Sequence, residues 1–200
     1  MYYAFLLIPW AATFGWTVQL GLWSNAILLA QVFMSGLIAF GFYQPLAVVI
    51  DEATEGSYTY FMDFLSIWAL FCGAMLILKI IDGALSKKQM RFHQRVDQIG
   101  GPLVGFCAGA VMSGIVLASL HTAPLPPELM HIDKQDIATK PFYNAPDLAW
   151  LRLVEYVSET GALGAAEEHQ FSVDDYVRVH QDRREQFAEI DSLLVRRSGG

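Results

Sequence analysis

Asp97 heads an apolar run, in the segment Val96-Asp97-Gln98-Ile99-Gly100-Gly101-Pro102. A carboxylate at the edge of a hydrocarbon layer can hold a proton or an ion. It can equally start a helix, where the dipole favours negative charge. The boundary position of Asp97 favours the helix start. Thr13, Thr17, Gln19 and Gln31 are the polar residues inside the first two apolar stretches. Neutral groups in such places bond between helices for about a kcal/mol or less, and a transport path would draw on the same groups. No acidic or basic residue falls in the middle of an apolar stretch, which argues against an ion-coupled pump. Ser35-Gly36 and Ser113-Gly114 lack the preceding glycine of a nucleophile turn, and no histidine lies within a stretch to act as base. The five histidines show neither His-x-x-x-His nor His-Glu-x-x-His spacing. Cys72 and Cys107 form no Cys-x-x-Cys pair and read as small apolar packing residues. The expectation is a chain that is not an enzyme and has no metal site and no cofactor.

The most specific local pattern is one of packing. Gly101, Gly105, Gly109 and Ser113 recur every four residues, so they line one face of a helix. Small residues there let a neighbouring backbone approach closely. Two uses follow: packing within the chain's own helices, or an oligomerisation or gating face.

The elements that must carry these residues are set by charge. The first fifty residues contain no Asp, Glu, Lys or Arg. A soluble domain has no way to cover so long an uncharged, aromatic-rich stretch, whereas a bilayer span needs ~20 mostly apolar residues. The whole chain is 54% hydrophobic but only 16% charged, against roughly 25% charged for soluble domains. The class predicted is all-α: an integral membrane protein with four transmembrane helices, at about 3–22, 26–50, 61–81 and 100–120, followed by a mostly helical extramembrane C-terminal tail. The start lacks the basic stretch of a cleaved signal peptide and reads as a retained first span. Ser24 and Asn25 make a polar break that would cap the second helix. His121-Thr-Ala-Pro-Leu-Pro-Pro ends the fourth.

Two regions result: a membrane domain over 1–120 and an acidic tail over 121–200. The net charge of −7 and the acidic tail argue against nucleic acid as a partner, which needs clustered Lys and Arg. Pro146 and Asp147 suit a helix start, with Leu148, Leu151, Val154 and Val157 at helical spacing. A second tail helix starts at Ser172, with Asp175 completing a capping-box variant and Phe171 and Tyr176 placed as a hydrophobic staple. Its partial apolar stripe, Tyr176, Val179, Phe187, Ile190 and Leu194, must pack on the first tail helix, the membrane surface or a partner.

Lys87, Lys88, Arg91 and Arg95 crowd one connector, and the other short loops hold no basic residue. The positive-inside rule puts that connector in the cytoplasm. Four spans then place both termini, and the tail, outside it.

Together these residues resemble the CvpA family, the colicin V production proteins of bacterial inner membranes. The resemblance is carried by Asp97, Gly100, Gly101, Gly105 and Gly109, similar to the family's Asp-x-x-x-Gly-x-x-x-Gly-x-x-x-Gly run at the head of the last span. Gly15 and Gly21-Leu-Trp-Ser-Asn-Ala-Ile fit the family's paired-helix opening. Tyr58-Thr-Tyr-Phe-Met-Asp-Phe-Leu, Leu120-His-Thr-Ala-Pro-Leu and Phe171-Ser-Val-Asp-Asp-Tyr resemble a planctomycete-type branch. Family members carrying basic and acidic residues at the first turn differ from this chain, where Gln19, Gly21 and Asn25 stand uncharged. The resemblance implies a multi-pass protein of the bacterial inner membrane. Its role would be as a non-enzymatic accessory of toxin production, secretion or envelope maintenance, acting through membrane or envelope protein partners. The alternatives are a small-solute transport or pore component as a homo-oligomer, and a membrane anchor for an extracytoplasmic interaction module.

Overall fold

A long uncharged stretch placed in lipid can satisfy its backbone N–H and C=O groups only within itself, which makes it a helix. The computed structural model describes residues 2–53, 59–85, 94–123, 146–160 and 171–188. The regular structure among them is helical throughout: α1 Tyr2–Thr17, α2 Leu22–Ala53, α3 Thr59–Leu85, α4 Gln94–Leu120, α5 Pro146–Glu159 and α6 Val173–Ala188.

Three stretches, Leu22–Glu52, Phe61–Ala84 and Gln94–Leu120, are long and apolar enough to cross a membrane. The fourth expected span, 3–22, is shorter than its reading. α1 has 16 residues, about 24 Å at 1.5 Å per residue, against a hydrocarbon core of ~30 Å. The cause is a side chain further along. Asn25 Nδ2 donates to the carbonyls of Thr17 and Leu20, at 3.0 and 3.3 Å. It thereby satisfies acceptors that a helix end leaves open. Asn25 therefore closes α1 rather than capping α2, which already begins at Leu22. Asp97 does the capping of α2: its Oδ1 accepts from the Leu22 N–H at 3.1 Å.

α2 and α4 pack together at the centre. α3 flanks α2 and α1 flanks α4, giving the order α3–α2–α4–α1. α5 lies on α4 and touches α2, and α6 packs on α5. One core holds Phe40, Ile67, Ile115 and Ala118 from the long helices with Trp150, Leu151, Val154 and Tyr176 from the tail. The described tail helices are thus built into the same core as the spans. Leu76, Ile77 and Ile80 on α3 and Ile99 and Leu103 on α4 face outward, as lipid-facing residues do. Cys72 and Cys107 also lie on that outer surface. They are exposed and so are not core-packing residues.

Candidate functional site

The glycine face of α4 receives α1. A methyl group at Gly101 would sit 2.9 Å from the Leu20 carbonyl oxygen. At Gly105 it would meet Thr17 Oγ1 at 2.5 Å, and at Gly109 the Trp10 carbonyl oxygen at 3.0 Å. Ser113 Oγ, one turn further on, lies 3.0 Å from the carbonyl oxygens of both Leu6 and Gly109. The absent side chains are what let the α1 backbone run this close. Trp10 closes the flank, stacking on Phe14 at 5.5 Å and meeting the edge of Phe106 at 5.1 Å. Within the chain, this face is occupied by α1.

The head of α4 ties the same region together. Gly100 faces Leu22, and Asn25 Nδ2 makes a third bond, 2.8 Å long, to the Gly101 carbonyl. Asn25 is fully buried. One amide thus pins the end of α1, the start of α2 and the start of α4. Asp97 acts here through a backbone N–H, so its position is that of a structural cap. Arg95 sits exposed in the first turn of α4. Lys87, Lys88 and Arg91 lie outside the described residues.

The second constellation lies where α4 ends and the tail docks. Trp150 of α5 is wedged between α2 and α4. A methyl group at Gly36 would fall 2.5 Å from its Cζ2, and one at Gly114 3.4 Å from its Cβ. Phe33 and Phe40 meet its ring edge-on, with centroids at 5.8 and 6.2 Å. His121 Nε2 and Asp147 Oδ2 are 2.7 Å apart in a buried pair that joins the end of α4 to the start of α5. The Tyr176 hydroxyl of α6 donates to the Ala118 carbonyl at 2.9 Å. His180 Nε2 lies 3.1 Å from Asp63 Oδ2 at the head of α3.

The α6 start combines one expected device with one unexpected one. Phe171 and Tyr176 pack at 5.4 Å between ring centroids, as the staple requires. The capping bonds come from α5 instead: Glu155 Oε1 accepts from Val173 N–H at 3.0 Å, and Ser158 Oγ from Phe171 N–H at 3.2 Å. Asp175 turns outward to Arg178 at 3.0 Å, so it is not the capping-box member. Ile190 and Leu194 lie outside the described residues. Among the described residues no three His, Cys, Asp or Glu side chains converge as a metal site needs.

Asp63, Asp147 and Trp150 escaped the sequence reading as a group. Each type was visible, but the pairings span 117 residues for His180–Asp63 and 26 for His121–Asp147. The available signals were a histidine just past the end of α4 and another on α6, with an aspartate near the start of α5 and of α3.

Spanning helices with a helical tail sealed onto one end define a multi-pass α-helical membrane protein. The family model of the colicin V production protein matches residues 3–143, taking in all of α1–α4 apart from Tyr2. The chain belongs to that family. No curated protein and no solved structure matches it.

Proposed function

We propose that this protein is a non-enzymatic accessory of the bacterial inner membrane that serves colicin V-type toxin production, secretion or envelope maintenance through partner proteins. The observation that carries the reading is the seat of the tail. α5 and α6 share a core with the spans, so these two described tail helices present a fixed surface. Such a surface suits recognition of an envelope or membrane protein. The basic charges of the connector in the sequence support one orientation. The tail and the connector lie at opposite ends of α4 whether or not α1 crosses fully, so a cytoplasmic connector puts the tail outside. With α1 alongside α4, the N-terminus lies toward the same outer side.

The test is affinity purification of the full chain in mild detergent, with identification of co-purifying proteins, beside the Trp150→Ala variant. We expect defined membrane or envelope proteins with the wild type and their loss with the variant. A partner set unchanged by Trp150→Ala, or the chain recovered alone, would remove the docked tail from the function.

A second reading, a homo-oligomeric pore or small-solute path, draws on the row order of the helices. α1 and α3 stand at its two flanks, with large apolar side chains outward. Native mass measurement in nanodiscs tests it: a defined oligomer supports the pore, and a monomer removes it.

A further inference from the structure

The α4 helix serves as a ruler for depth. Its uncharged stretch runs from Gln98 to Leu120, about 34 Å at 1.5 Å per residue, close to the ~30 Å of a hydrocarbon core. Leu120 therefore marks one edge of that core. α5 meets α4 on the membrane side of this edge. A methyl group at Gly114 would lie 3.1 Å from the Pro146 carbonyl oxygen and 3.4 Å from Trp150 Cβ. Gly114 precedes Leu120 by six residues, about 9 Å along the helix. The first turn of α5 is thus seated below the level at which α4 ends.

The outward face of α5 does not suit hydrocarbon. Trp150, Leu151 and Val154 are buried, whereas Arg152, Tyr156 and Glu159 are exposed. Arg152 follows Trp150 by two residues, so its backbone lies within about 3 Å of the same level. A charged side chain turned to lipid at that depth is costly, and snorkelling or local thinning of the bilayer relieves it. Arg152 and Tyr156 stand one turn apart. A guanidinium pairs with phosphate, and a tyrosine settles among headgroups. The far side of α2 has the opposite character. Gly36, which Trp150 touches, begins a buried face continued by Phe40, Tyr43 and Ala47. On the other side Phe42, Val48 and Val49 are 45, 57 and 62% exposed, and no charge occurs before Asp51. Val49 stands 13 residues past Gly36, about 20 Å along the helix. A single flat boundary cannot hold Arg152 in a polar setting and Val49 in an apolar one.

We propose that the outward face of α5 is a lipid-headgroup surface, against which the leaflet at the Leu120 end of α4 is drawn down, while the same leaflet stands higher along the Phe42–Val49 side of α2. The occupant is phospholipid. Its phosphate meets Arg152, its headgroup layer meets Tyr156, and its acyl chains cover Phe42, Val48 and Val49. Fitting a bilayer to a protein costs little per ångström of mismatch, whereas a bare guanidinium in hydrocarbon is expensive, so the leaflet yields first. The inference rests on the spanning helices alone and requires no partner protein.

The experiment uses the full chain, with Cys72 and Cys107 replaced by alanine, in nanodiscs of phosphatidylethanolamine and phosphatidylglycerol. A single spin label takes the place of Tyr156 or of Val49, both exposed. Its collisions with oxygen, which concentrates in hydrocarbon, are compared with those of a nickel chelate, which stays in water. We expect the Val49 label to meet oxygen and little nickel, and the Tyr156 label to show the intermediate balance of the headgroup layer. Arg152→Leu removes the charge that holds the headgroups down, so the Tyr156 label should shift toward oxygen. Arg152→Lys should keep the original balance. Nickel contact at Tyr156 equal to that of a label dissolved in buffer would put α5 in open water. Shielding from both reagents would put a second copy or another protein on that face. Nickel contact at Val49, or no response to Arg152→Leu, would remove the step in the leaflet. Each of these results overturns the proposal.

Discussion

At Gly105 the space for a side chain is already taken by the Thr17 hydroxyl. Gly105→Leu or Gly109→Leu must push α1 off α4, and overpacking of this kind costs about 1–3 kcal/mol. Val104→Leu, beside the face, should cost less. Thermal unfolding in detergent checks the ranking, and equal tolerance at the three positions would dismiss the packing role. His121 and Asp147 give a second residue-scale prediction. His121→Ala leaves a buried carboxylate without its partner, and an unsatisfied buried acceptor costs about 1–3 kcal/mol. Adding Asp147→Ala removes the stranded charge, so the double variant should recover part of that loss. Strict additivity of the two single effects in denaturant titration would show that the pair is not coupled.

α5 is the tail element with the broadest seat, touching α2, α4 and α6. Its Trp150 fills the gap that Gly36 and Gly114 leave open. Trp150→Ala should cost about 3 kcal/mol, the lower end for a buried aromatic in water, because lipid competes less sharply than water for an apolar ring. Hydrogen exchange should then quicken through both α5 and α6 while α2 stays protected. Unchanged exchange in α6 would mean that it docks independently of α5. Element existence was legible from the sequence for a physical reason: uncharged stretches of bilayer length have no other regular conformation available. Element ends were less so. α1 stops at Thr17 because of Asn25, eight residues away, and Asn25 is held in turn by Gly101 from another helix. The four-residue spacing of Gly101, Gly105, Gly109 and Ser113 announced a close packing face, yet only the folded chain assigns α1 as its occupant. Likewise Phe171 and Tyr176 meet locally as expected, whereas the cap of α6 arrives from Glu155, 18 residues upstream.

For the whole molecule the governing asymmetry is electrostatic at one end and packing at the other. A reporter active only outside the cytoplasm, fused after Gly200, should be active, and one placed in the connector at residue 88 should be silent. The reverse pattern would invert the assignment. The tail's contribution to the shared core also orders the protein's birth. During synthesis the hairpin of α1 and α2 leaves the ribosome well before Gly101, the residue whose carbonyl locks Asn25 from 76 positions away. The crevice between α2 and α4 is filled by Trp150, which follows the last span in the chain and emerges after it. A chain that lacks α5 would leave that groove between α2 and α4 unfilled. A chain stopped at residue 123 should insert normally yet turn over faster than the full chain in pulse-chase labelling, and equal lifetimes would show that α5 completes nothing.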